Sequence, residues 1–236
     1  AEFFEILERV VLDSPWRDLW GTQIGLTSDA AFSTIGKANE QGGFEYNPKA
    51  EANITWTSAQ VTEFWKGLLQ KYPFLAIEDS HHEDDTGGYA ELTAFAIEAS
   101  TPGTAAHQAL KFDIQRKYGI DTVGDDLTVT NLRLLQAAVS AQTETITFGD
   151  QELTFPPHTI TAILVKINQV GSITETIELI KWALLHGISV YISHRSGETI
   201  DTTIADIAKA ATTFEKNPHP VTGRTPKVGF KPCAPA

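Results

Sequence analysis

The chain has 236 residues, 42% of them hydrophobic and 20% charged, enough for one large domain or two small ones with a buried core. Its formal net charge of −12 argues against nonspecific binding to nucleic acid or to an anionic membrane, both of which need a basic surface. No run of roughly 18 apolar residues and no basic region followed by an apolar block occurs, so neither a membrane span nor a signal peptide is expected. The single cysteine, Cys233, excludes an internal disulfide and suits a reducing, cytoplasmic setting. Methionine is absent even at position 1, and the expectation adopted is that the chain is part of a longer protein.

Residues 3–12 place Phe3, Ile6, Leu7, Val10 and Val11 on one helical stripe, and this helix opens without a cap. A short strand is expected at residues 22–26, with Thr27, Ser28 and Asp29 at its polar end. Residues 36–57, rich in Gly, Asn and Lys, read as loop. The next helix covers residues 58–71, capped by Thr57 or Ser58, with Val61, Phe64, Trp65, Leu68 and Leu69 on one face. Tyr72-Pro73 hands over to a strand at residues 74–77 that ends in Glu78-Asp79. His81-His82, acidic residues 83–85 and two glycines follow, and no strong period appears before residue 111. The two histidines read as loop surface, with metal binding as the alternative.

A strand at residues 121–124 ends in Asp125-Asp126 and leads to a helix at 131–141. TITFGDQELTF (residues 145–155) alternates on either side of Gly149-Asp150, a hairpin signal. The run ITAILVKINQVG (residues 160–171) has the β-branched content of a strand buried on both faces, and it delivers Lys166 at its polar end. A lysine there reaches solvent, pairs with carboxylates or loses its proton, because burying a lone ammonium is costly. Ser172 and Glu175 form a capping-box pattern for a helix that runs to His186 and is stopped by Gly187. A strand at 188–192 ends in Ser193-His194-Arg195-Ser196, a helix is expected at 202–214, and residues 228–231 read as a last strand ending in Lys231.

Strands alternating with helices imply an α/β fold with a parallel sheet. No strand is followed by GxGxxG, which disfavours a dinucleotide-binding sheet. In a (β/α)8 barrel the chemistry sits at the C-terminal strand ends. Those ends here carry Thr27 or Asp29, Glu78-Asp79, Asp125-Asp126, Lys166, His194-Arg195-Ser196 and Lys231. Acids on neighbouring strand ends make an oxygen-rich site suited to Mg²⁺, and an Arg-Ser pair suits a phosphate or carboxylate.

VGDDLTVTN (residues 123–131), LVKINQVGSITET (164–176) and ISHRSGETIDTTIADI (192–207) resemble, in order, the signatures of the enolase family. YPFLAIEDSHHEDD (72–85) is similar to the family's YPIxSIEDPFxEDD, and FKPCAPA (230–236) to its IKTGAPx. The resemblance runs over most of the chain, with insertions near residues 86–110 and 142–158. It implies about six strands of an enolase-type (β/α)8 barrel, supplied by a partial C-terminal barrel domain over residues 1–236 without the N-terminal capping domain. It further implies Mg²⁺-dependent interconversion of 2-phosphoglycerate and phosphoenolpyruvate. Lys166 would be the general base, Glu78 and Asp125 metal ligands, and His194, Arg195, Ser196 and Lys231 the substrate-binding residues.

Two departures stand beside the likeness. The family's IGLDxAxSEF strand reads IGLTSDAAFS here, so Thr27 occupies the place of a metal-binding aspartate, with Asp29 two residues on as a candidate substitute. The general-acid glutamate of the family is not in this chain. NEQGGFEYN (residues 39–47) is similar to the family's acid motif but follows the IGLT strand instead of preceding it, and is taken as coincidence. The competing expectation is therefore a weakened or inactive enolase paralogue serving a larger assembly, such as a ciliary or flagellar one. A six-stranded part of a barrel leaves open edges that need a partner or the missing residues, and the resemblance implies a protein partner or a homodimer.

Overall fold

The computed structural model describes residues 2–48, 54–195 and 201–231. The chain divides into two compact units, Ala1–Thr122 and Val123–Ala236.

The first unit begins with α1 (Glu2–Leu12), followed by β1 (Leu26–Asp29), β2 (Gly36–Ala38), β3 (Phe44–Tyr46) and β4 (Trp56–Thr57). Then come α2 (Ser58–Lys71), β5 (Phe74–Glu78), α3 (Thr86–Ser100), α4 (Ala105–Ala109), α5 (Asp113–Tyr118) and β6 (Asp121–Gly124), whose last two residues open the second unit. Helix α2 starts on a reciprocal capping box between Thr57 and Gln60 and buries Val61, Trp65, Leu68 and Leu69. These side chains join Leu26, Phe32, Tyr46, Phe74, Ile77, Leu92 and Ala96 in one core. Buried Gln115 donates from Nε2 to the carbonyls of Leu69, Tyr72 and Phe74, fastening the end of α2 to the start of β5.

Four expectations change in this unit. The first strand lies at Leu26–Asp29, downstream of residues 22–26, because its ladder with β5 begins only at Leu26↔Phe74. Residues 36–57 are not loop throughout: β2, β3 and β4 form an antiparallel sheet, held to the core by wholly buried Tyr46. NEQGG is the turn between β2 and β3, where the Asn39 side chain accepts from the Gln41 and Gly43 N–H groups. Helix α1 presents Phe4 and Leu7 to the core and leaves Phe3, Ile6 and Val10 exposed. Finally, residues 86–100 form α3, capped by Asp85 and buried through Gly88, Tyr89, Leu92, Thr93, Ala96 and Ala99. Gly88 is required in the first turn of α3, because a Cβ there would lie 2.4 Å from the His81 ring.

The second unit continues with α6 (Leu132–Val139), β7 (Glu144–Phe148), β8 (Gln151–Phe155), β9 (Ala162–Val165), α7 (Ile167–Val170), α8 (Ile173–Leu185), β10 (Ser189–Ser193), α9 (Thr203–Ala211) and β11 (Val228–Lys231). Strands β7 and β8 form the expected hairpin, mostly exposed, with Phe155 its buried anchor. Every residue of β9 is buried, as the uninterrupted apolar run requires. Ser172 caps α8 by accepting from the Glu175 N–H. Helices α8 and α9 pack on β10.

Across the chain the parallel strands run in the order β1-β5-β6-β9-β10-β11. This is the expected α/β class, six parallel strands with intervening helices, as in part of a (β/α)8 barrel. Among the described residues no helix is long and apolar enough to cross a membrane.

Candidate active site at the strand ends

In the first unit, the backbone places an acid opposite an acid. After an irregularity between Leu26 and Thr27, β1 pairs with β5 as Thr27↔Ala76, Ser28↔Ile77 and Asp29↔Glu78. The tie persists beyond the strands, since the Ala30 N–H donates to the Glu78 carbonyl and the Phe32 N–H to that of Asp79. Thr27 and Asp29 share a side of β1, so it is Asp29 that meets Glu78. Asp29, Glu78 and Asp79 each offer a carboxylate oxygen, all within 4.8 Å of one another. Asp79 is turned toward the cluster by a left-handed backbone, φ 46°, and accepts from the Tyr89 hydroxyl at 2.9 Å. Three hard oxygen donors at this spacing fit a magnesium ion, which takes carboxylates and retains water.

His81, expected on the loop surface, is instead fully buried. Its Nε2 meets the Thr62 hydroxyl at 3.1 Å and its Nδ1 the Ser80 hydroxyl at 3.0 Å. The Thr62 hydroxyl donates to the Ser58 carbonyl, so it accepts from Nε2–H, and Ser80 then donates to Nδ1. Both ring nitrogens are engaged in the core, which leaves neither for a metal. Burial pushes the imidazole down to about 4, against a weaker opposing pull from Asp85. His82 packs on Phe44, with ring centroids 5.2 Å apart, and its Nδ1 accepts from the Asp84 N–H.

In the second unit, Lys166 leaves the buried end of β9 and its Nζ donates to Asp125 Oδ2. Of the alternatives open to a strand-end lysine, pairing with a carboxylate is the one realised. Its side chain is 18% exposed and that of Asp125 8%. Asp125 Oδ1 accepts from the Gln169 amide at 3.4 Å. Thr130 accepts from the Lys166 backbone N–H at 3.0 Å and donates to Gln169 Oε1.

At the far strands, Ser193 pairs with Lys231, and both the backbone N–H and Nδ1 of His194 lie against the Lys231 carbonyl, at 3.3 and 3.1 Å. This brings His194 and Lys231 together, and exposed Arg195 follows directly. Ser196 lies outside the described residues. The expected residues thus fall into three local groups: Asp29 with Glu78, Asp125 with Lys166, and His194 with Lys231. Thr130 and Gln169 were not singled out from sequence, although both lie inside the quoted motifs. Neither titrates, and a search for ionisable groups passes over them.

The family described as the C-terminal TIM barrel domain of enolase matches residues 9–100 and 103–217. The enolase of Mycoplasmopsis pulmonis (strain UAB CTIP) is 36% identical over 174 residues, covering 74% of this chain and 30% of that protein. That of Mycoplasmopsis synoviae (strain 53) is 34% identical over 184 residues, covering 77% and 32%. The chain therefore spans about a third of the length of these relatives.

Proposed function

Because the chain belongs to the enolase family, we propose that it supplies the C-terminal barrel region of a cytoplasmic, magnesium-dependent lyase that dehydrates 2-phosphoglycerate to phosphoenolpyruvate. The observation that carries the reading is the lysine at the end of a wholly buried strand, held by the Asp125 carboxylate. Lys166, acting in its amine form with a free electron pair on Nζ, takes the proton from the carbon next to the substrate carboxylate. The electron pair forms the new double bond as hydroxide leaves the neighbouring carbon. Arg195, Ser196, His194 and Lys231 bind the phosphate and carboxylate ends, and Asp29, Glu78 and Asp125 are the carboxylates that would hold magnesium. When bound, the divalent ion supplies positive charge against the carboxylate on which negative charge develops.

Phosphoenolpyruvate absorbance is followed in the full-length native protein that contains this chain, with and without Mg²⁺, and again in its Lys166→Ala variant. The expected result is a Mg²⁺-dependent rate that falls by at least about 10²-fold in the variant, the scale of a lost general base. No Mg²⁺-dependent rate overturns the lyase reading. It would favour the alternative, a structural enolase paralogue in a larger assembly, to which Thr27 and the exposed β7–β8 hairpin lend support.

A further inference from the structure

The geometry points to Gln169 and Thr130 as positioning residues that hold Asp125 and Lys166 in register for proton abstraction, an inference that rests on the proposed lyase reading. The hydrogen bonds form a closed ring that begins and ends on Lys166. Its backbone N–H donates to Thr130 Oγ1 at 3.0 Å, and the Thr130 hydroxyl donates to Gln169 Oε1. Gln169 Nε2 then donates to Asp125 Oδ1 at 3.4 Å, and Asp125 Oδ2 accepts from Lys166 Nζ. The opposite orientation of the Gln169 amide would set its oxygen against the Asp125 carboxylate, whereas the Thr130 hydroxyl also has the Leu164 carbonyl within 3.5 Å as an acceptor. With one oxygen held by the Gln169 amide and the other by Lys166 Nζ, the carboxylate is fixed in one orientation. The base and the acid it touches are thereby fixed together.

The backbone supplies a second observation. Val129 and Thr130 both adopt left-handed conformations, φ 41° and 54°, although both are β-branched. Such residues persist only where their surroundings over-determine them, and they gather at functional sites. Here the Asp125 carbonyl accepts from the Thr128 and Val129 N–H groups, and Asn131 resumes regular structure as the cap of α6. That tight turn brings the buried Thr130 hydroxyl back to Lys166. A serine would carry the same hydroxyl, whereas a valine would keep the shape and lose it. The pair of substitutions therefore separates the hydroxyl from packing.

The test compares the native protein with Gln169→Leu, Thr130→Val and Thr130→Ser. Steady-state turnover of 2-phosphoglycerate, Mg²⁺ affinity by titration calorimetry and thermal unfolding are measured on each. Gln169→Leu and Thr130→Val are expected to lower kcat by about 10- to 100-fold with little change in KM. They should weaken Mg²⁺ binding by about tenfold, as for the loss of groups that orient a ligand. Thr130→Ser should restore both values to near those of the native protein. Should Gln169→Leu fail to fold, the valine and serine pair decides. Unchanged kcat and Mg²⁺ affinity in the valine variant, or equal losses in the valine and serine variants, would overturn the inference while leaving the lyase reading intact. A native protein that neither binds Mg²⁺ nor turns over substrate removes the lyase reading and this inference with it.

Discussion

Thr27 and Asp29 lie on the same side of β1 and differ in level, Thr27 beside Ala76 and Asp29 beside Glu78. The exchange at Thr27 therefore does not remove the acid from this strand end. Replacing Thr27 with Val should leave Mg²⁺ affinity within about twofold, whereas Asp29→Asn should weaken it by about tenfold or more, read by calorimetry. Equal effects at both positions would show that level does not matter. Alternation along the strand made Asp29 legible from sequence, but its partner depended on the ladder register and was not. His81 was misread for a related reason: nothing local marks a histidine as enclosed, and its partners Thr62 and Tyr46 come from distant segments. Its titration gives a signed prediction. The imidazole is held at about 4 when folded against an ordinary 6.5, so between those values the unfolded chain binds the proton and the folded one does not. The stability is complete above about 6.5 and is lost as pH falls toward about 4, by up to about 3 kcal/mol. Urea midpoints across this window should slope down toward acid in the native protein, and His81→Gln should flatten that slope.

At the scale of elements, helices with a clear stripe and a cap were readable. Helix α2 follows its Thr57 cap, α6 its Asn131 cap and α8 its Ser172 cap. Helix α3 was hidden because its exposed face carries Gly87 and Ala94 beside Glu91 and Glu98 while its buried face includes Thr93 and Ser100, so polarity marks no clear period. The β2-β3-β4 sheet was hidden by short strands whose turn residues outweigh their apolar ones. The end of α8 was legible for a reason the packing sharpens. Gly187 has φ 77°, and a Cβ there would lie 2.4 Å from the His219 backbone. Gly187→Ala therefore meets both backbone strain and a close backbone approach. It is expected to cost about 2 kcal/mol or more, read as a lower thermal or urea midpoint, with β10 the strand most directly displaced. An unchanged midpoint would show that the chain after α8 yields freely.

For the whole molecule, alternating strands and helices gave the fold class, and the ordered motifs gave the family. What sequence pattern could not supply was the hydrogen-bonded support behind the ionisable residues, because Thr130 and Gln169 matter only through what they touch. Catalysis as proposed turns on Lys166 removing the proton next to the substrate carboxylate. The most direct measurement is exchange of that carbon-bound hydrogen of 2-phosphoglycerate in D₂O, followed by NMR with Mg²⁺ present, which registers proton removal even if hydroxide never leaves. The expected result is Mg²⁺-dependent loss of the signal with the native protein and a loss slower by at least about 10²-fold with Lys166→Ala. A signal that persists with the native protein, or that disappears equally fast with the variant, would contradict it.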